Sequence, residues 1–413
     1  MIRSSAFRSY DVWYANYKWI ANVNYIIDAE PEMAGTEADV AYVAGQAYAI
    51  RALCYLNLAT WFSRAPYNSL TGASRWNEPC VPVYTTGTSI DTGGQPRESL
   101  RTVYGRIDQD IDRAIELLEK ARETTLAENN KSHINLYVAL GIKSRACLAE
   151  GDWDGAFKAA KRVIDEGGYA VGTKSDLTGG MNSLDKQNVM WGAGIQVADQ
   201  AGGYAGFFTH MDNKEGAYAK SAPKLISKQL YNRISATDIR RDWWDPSDKE
   251  SPYVSKKFSF ANVASFLGDY IYMRVEEMYF TAAEAALRLD DLKSARELMN
   301  TVMAERDPGY SANNRSGTLL GATTTTWTGS FLENILTHRR IELWGEYGRL
   351  FDVRRLGQGI DRRTDDGFSE ECISMMNRRN VNITKADTYD WVLTIPKAEL
   401  DANPNINEED QNP

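Results

Sequence analysis

The chain has 413 residues, with 56 acidic against 47 basic side chains and a formal charge of −9. Its 43% hydrophobic and 25% charged fractions are those of a folded globular protein with ample chain for a core. The net acidity argues against the basic face that nucleic-acid phosphates require, and the most apolar helical stretch, Ala41 to Phe62, carries Gln46, Arg51 and Asn57 inside what would have to be about 20 nearly uncharged residues to span a bilayer.

In chain order, helical periodicity comes first. Tyr10 to Asp28 predicts a helix, with Trp13, Tyr17, Ile20 and Asn24 on one face at three- and four-residue steps. A second helix is expected over Asp39 to Phe62, ended by Ser63-Arg64-Ala65-Pro66, because the residue before a proline leaves the helical region. An irregular Gly-, Pro-, Ser- and Thr-rich insertion, 67–96, follows. Ser99 then reads as the N-cap of a helix whose apolar face is Val103, Ile107, Ile111, Ala114, Ile115 and Leu118, with Asp108, Asp110, Asp112 and Glu116 expected in water.

Ile134 to Ile164 reads as a helix hairpin turning at Gly151-Asp152. Gly151, Trp153 and Ala156 supply the turn glycine, aromatic wedge and small crossing residue of a tetratricopeptide-like unit. Arg274 to Val302 repeats the register with Asp290 in the glycine's place. The two units are much further apart than the ~34 residues of a regular array, so hairpins separated by long insertions are expected. The largest insertion, 169–272, combines short β-prone pieces (Asn188 to Val197, Tyr253 to Phe260) with Gly-rich turns and many aromatics. A last helix is expected from Phe331 to Trp344, continuing toward Phe351.

The usual catalytic and metal signatures are missing. His133, His210 and His338 form no HExxH or i,i+4 pair, and Cys54, Cys80, Cys147 and Cys372 form no CxxC, so buried free thiols are expected. No GxSxG elbow or Walker A loop occurs, and the run Gly202 to Gly206 lacks the flanking strand and helix of a phosphate-binding turn.

Several segments, in order and over most of the chain, resemble the SusD/RagB family of outer-membrane nutrient-binding lipoproteins. They are Ala47 to Leu53 with Phe62 to Pro66; Val81-Pro82, Arg97-Glu98-Ser99, Val103-Tyr104, Asp110 and Ala114; Arg274 to Met278 with Ala283-Glu284-Ala285; Arg339 to Leu343 with Glu346, Arg349, Phe351-Asp352 and Arg354-Arg355; and Ile395 to Pro404. His338 stands where the family usually has a glutamate. Most of these residues read as structural: Arg274, Glu277, Glu284, Arg340 and Glu342, and Asp352 with Arg354 and Arg355, are expected in buried or half-buried charge pairs, since such charges are rarely buried alone.

The resemblance implies a mainly α fold of tetratricopeptide-like hairpins in a curved bundle, forming a single SusD-like unit. Its parts would be N-terminal hairpins over 10–168, a loop-rich, strand-poor insertion lobe over 169–272, C-terminal hairpins over 273–357 and a closing segment over 358–413. It also implies a non-catalytic protein without cofactor or metal, which captures oligo- or polysaccharide, or in some branches peptide, for a SusC-like TonB-dependent transporter. Surface exposure and a lipid anchor in the outer membrane are implied too, although neither a signal peptide nor a lipobox cysteine stands in this sequence.

Family binding platforms lie near the first helix and in the large insertion. By region this points to Tyr10, Trp13, Tyr204, Phe207, Phe208, Trp243 and Trp244, with Trp76 in the 67–96 insertion as a further candidate; aromatic faces cover the apolar side of a pyranose at low entropy cost. The competing readings are a glycoside hydrolase, which needs a carboxylate pair that no motif singles out here, and a hairpin scaffold that binds only proteins.

Overall fold

The structure is a computed structural model describing residues 7–124, 126, 130–197, 206–361, 382–383 and 388–413. It is mainly helical. The chain divides into two compact units: Met1–Ala156 with Leu350–Gly357 and Lys385–Pro413, and Phe157–Arg349 with Gln358–Thr384.

In the first unit, α1 (Phe7–Ala29), α2 (Glu37–Phe62), α3 (Leu100–Lys120) and α4 (Leu136–Glu150) carry the fold, and α5 starts at Trp153. Thr36 caps α2, and Ser99 caps α3 by accepting from Thr102 N–H, as its sequence predicts. The α2 helix packs against both α1 and α3, and α3 packs against α4. Alanines at 44, 49 and 52 are fully buried and let the α2 backbone come close to its neighbours.

Asp110 departs from expectation. It is fully buried, not solvated, because Arg51 on α2 reaches across with Nε and Nη2, each 2.7 Å from a carboxylate oxygen. Arg106 adds a contact of 3.1 Å. Periodicity placed Asp110 among polar positions but does not report a cation arriving from another helix.

Gly151 ends α4 in the left-handed region at φ 78°, and a Cβ there would come within 2.6 Å of the Tyr67 ring. Trp153 packs edge-on against that ring and Ala156 is fully buried. Cys54, Cys80 and Cys147 are free and buried; Cys372 lies outside the described residues. The tail folds back on the same unit: Asn412 Nδ2 donates to the carbonyls of Phe62 and Leu393, both at 2.8 Å.

The second unit pairs helix Val275–Arg288 with Leu292–Ala304 and with Phe331–Glu342. Asp290 sits at φ 62°, so it adopts the left-handed turn that Gly151 makes in the other hairpin. Among the described residues the insertion is strand-poor: its longest pairing is antiparallel, Val189–Ala193 with Tyr270–Arg274, broken by two register irregularities.

Between these elements lies a buried charge cluster. Glu342 accepts from Arg306 at 2.9 Å and from Arg274 and Arg240 at 3.1 Å each. Burial alone would raise its pKa, but the three guanidiniums hold it well below the carboxylate range. Arg306 and Arg274 also bind Glu276, at 2.8 and 2.9 Å. His338 takes its place here as a neutral ring 2.9 Å from Arg240 Nη2, its pKa driven far down by burial and by that cation. The family motif around Arg274 and Glu342 is thus a packing device. Among the described residues no helix is long and apolar enough to cross a membrane.

Candidate functional site

The aromatics expected in the insertion do not form an exposed platform. Phe208, Trp243 and Trp244 are 2%, 2% and 1% exposed and belong to one hydrophobic core, with Phe207 packed against it. Trp243 donates its indole N–H to the Leu177 carbonyl at 2.8 Å and carries the Lys257 ammonium 4.5 Å from its ring centroid. Trp244 lies edge-to-face with both Trp243 and Trp344. Phe207 is edge-to-face with Phe208 and Phe258 at 5.1 and 5.3 Å.

As ligand-stacking residues, Phe208, Trp243 and Trp244 are therefore corrected to core residues, and Phe207 to a partly buried ring packed against them. The segment offered no helical period to reveal burial, yet large rings in short helices and turns still collapse on one another when that removes apolar area from water. Tyr204 lies outside the described residues. Trp76 is half-buried, edge-on to Tyr104 at 5.6 Å with the Arg101 guanidinium 5.8 Å from its ring, and it does not join the other candidates.

Tyr10 and Trp13 do come together. They line an open cleft of about 480 Å³ in the first unit with Tyr14, Tyr17, Lys18, Tyr84 and Glu399. Tyr10 and Tyr14, one helical turn apart on α1, stack at 5.5 Å with their planes 12° apart, and remain 44% and 51% exposed. The pair makes up part of the cleft's lining. Trp13 is 5% exposed and forms its floor, edge-on to Phe62, with its indole N–H 3.2 Å from Glu399 Oε2. It supports the rings around it and is not itself a stacking face.

The opposite wall is a loop from the 67–96 insertion, stapled to α1. Tyr17 O–H donates to the Pro82 carbonyl at 2.7 Å, Asn24 Nδ2 to Tyr84 and Thr86 carbonyls at 3.2 and 2.9 Å, and Tyr25 O–H to the Thr88 carbonyl. Burial first, then neighbouring Tyr55 and Glu399, raises the Tyr17 pKa well above its usual value, so it stays a neutral donor. Glu399 is held from the other side by Asn403 Nδ2 at 2.8 Å. Thr88, Ser89 and Thr92 add hydroxyl-bearing groups to the rim.

Chemically the cleft offers two exposed, stacked phenol rings, the Lys18 ammonium, short hydroxyls and one carboxylate. That inventory suits a neutral, hydroxyl-rich ligand with apolar C–H faces. Sequence reasoning missed Tyr14, Tyr17, Lys18, Tyr84 and Glu399. Tyr14 was within reach through its four-residue spacing from Tyr10, whereas Tyr84 and Glu399 arrive from remote segments.

Comparison with known families and structures follows the same lines. Residues 213–413 match the family described as the SusD family, and residues 2–148 match one described as starch-binding associating with outer membrane. A SusD-like carbohydrate binding protein from Bacteroides vulgatus is 26% identical, with 97% of this chain and 83% of that chain covered at a TM-score of 0.75. A SusD superfamily protein from the same species is 20% identical, covering 100% and 87%, at 0.77. Surface glycan-binding protein A from Bacteroides uniformis is 17% identical, covering 97% and 84%, at 0.66. Curated protein sequences yield no match.

Proposed function

The chain belongs to the SusD/RagB family, and we propose that it is a glycan-capturing protein of the outer-membrane surface that binds without cleaving. The stacked, exposed pair Tyr10–Tyr14 carries this reading. The stacked phenols on consecutive turns offer exposed apolar ring surface to the C–H side of a sugar, while Lys18, the rim hydroxyls and Glu399 meet its hydroxyls. The chain's likeness to a SusD-like carbohydrate binding protein from Bacteroides vulgatus supports the ligand class.

The same cleft supports the reading of binding without cleavage. Canonical glycoside hydrolysis requires two carboxyl groups flanking the scissile bond. Among the described residues Glu399 is the one carboxylate that lines the cleft, and it is tied to Trp13 and Asn403. In the proposed role the captured glycan passes to a SusC-like TonB-dependent transporter, with the protein held at the surface by a lipid anchor.

The test is affinity electrophoresis against a polysaccharide panel, followed by calorimetry on the best ligand and a reducing-end assay. Retarded migration with one glycan class and no released reducing ends is expected. Release of reducing ends would overturn the non-enzymatic reading, and binding of peptides alone would replace glycan by peptide as the ligand.

A further inference from the structure

Arg354 lies on the short helix Arg349–Arg355, with 5% of its surface exposed. A guanidinium has five N–H donors and nearly always meets a carboxylate when buried. Here its hydrogen bond among the described residues is a single one, from Nη2 to the Ser63 carbonyl, and no carboxylate pairs with it. The adjacent Asp352 turns instead to Arg355, with Oδ1 at 2.7 Å from Nη2 and 2.9 Å from Nε. Burial pushes the Arg354 pKa down to about 10 and the Arg75 charge adds to the fall, the direction expected of a cation short of a counter-charge.

Arg354 lines a cavity of about 20 Å³ with Thr60, Arg64, Tyr104 and Phe351. That volume admits about one water-sized species. A water there would satisfy a donor but leave the charge uncompensated, and an uncompensated buried charge is strongly destabilising.

We propose that the cavity beside Arg354 binds one small monovalent anion of the halide class, chloride in ordinary buffers, which neutralises this guanidinium. The ion would fasten the helix carrying Arg354 to the end of α2 through the Ser63 contact, independently of any glycan bound at the Tyr10–Tyr14 cleft. Binding to the folded state alone stabilises it in proportion to ligand concentration over the dissociation constant.

Two measurements test this on the full chain. Thermal unfolding at fixed ionic strength, with sodium gluconate replaced stepwise by sodium chloride, should give a saturating rise in Tm of about 2 °C. That rise should disappear in Arg354→Gln. Crystals grown in sodium bromide should show an anomalous peak within contact of the Arg354 guanidinium. The bromide experiment uses unmutated protein and so decides the matter if Arg354→Gln does not fold. A Tm indifferent to anion identity, or a water with no anomalous signal beside Arg354, would overturn the proposal.

Discussion

Arg51 grips Asp110 through two charge-assisted hydrogen bonds of 2.7 Å, joining α2 to α3 inside a fully buried site. Arg51 also donates to Asn24 Oδ1 on α1, at 2.7 Å, and to the Thr85 carbonyl, at 2.8 Å. One guanidinium therefore ties three helices and the cleft's far wall together.

Removing one partner of that pair strands the other in a low-dielectric interior. Asp110→Ala should destabilise by about 3–5 kcal/mol, whereas the paired change Arg51→Met with Asp110→Leu should cost markedly less. Denaturant unfolding of the three proteins checks the order. Equal losses in the single and double variants would show that the pair is not energetically coupled.

The second prediction separates ligand faces from core rings. Tyr10→Ala and Tyr14→Ala should each weaken glycan binding by roughly 5- to 30-fold, about 1–2 kcal/mol per stacking face, with Tm nearly unchanged. The two effects should be non-additive, because the rings form one surface. Trp243→Ala should instead cost about 3–5 kcal/mol of stability and leave the affinity of the folded fraction intact. Calorimetry with melting curves on the same samples distinguishes the two classes.

Ala156 is fully buried at the start of α5. Ala156→Leu should overpack the hairpin and destabilise by about 1–3 kcal/mol without changing glycan affinity in the folded protein. A loss of affinity at unaltered Tm would contradict the structural role.

Glu150, at the end of α4, supplies a pH signature. Burial, reinforced by the negative charges of Asp108 and Asp152, pushes its pKa up to about 8. The unfolded chain ionises this group near pH 4.5, so between that value and 8 the folded state holds the extra proton. Stability from this group is thus complete below pH 4.5, falls as pH rises, and is lost once pH passes 8. Glu150→Gln, which stays neutral, should raise Tm more at pH 8 than at pH 5, by an amount on the order of 3 kcal/mol at the upper end. The same increment at both pH values would place Glu150 in an ordinary solvated state.

Local patterns in the sequence determined the helices, their Ser99 cap, the Gly151 turn with its Trp153 wedge and the left-handed Asp290, because each depends on neighbours within a turn or two. The family motifs were legible for the same reason, and their Arg274 and Glu342 proved to belong to one buried charge cluster with Arg240 and Arg306. Tertiary structure alone decided where the aromatics went. Trp243 and Trp244 have no periodicity that marks a buried face, and their fate depends on Leu177, Phe258 and Trp344 arriving from distant segments. Asp110 and Arg354 make the same point in opposite directions: Asp110 reads as solvated yet meets Arg51, and Arg354 reads as one of a charge pair yet meets no carboxylate among the described residues. Burial and counter-charge are properties of a place in space, set by whichever remote segments pack there, and helical spacing carries only the near half of that information.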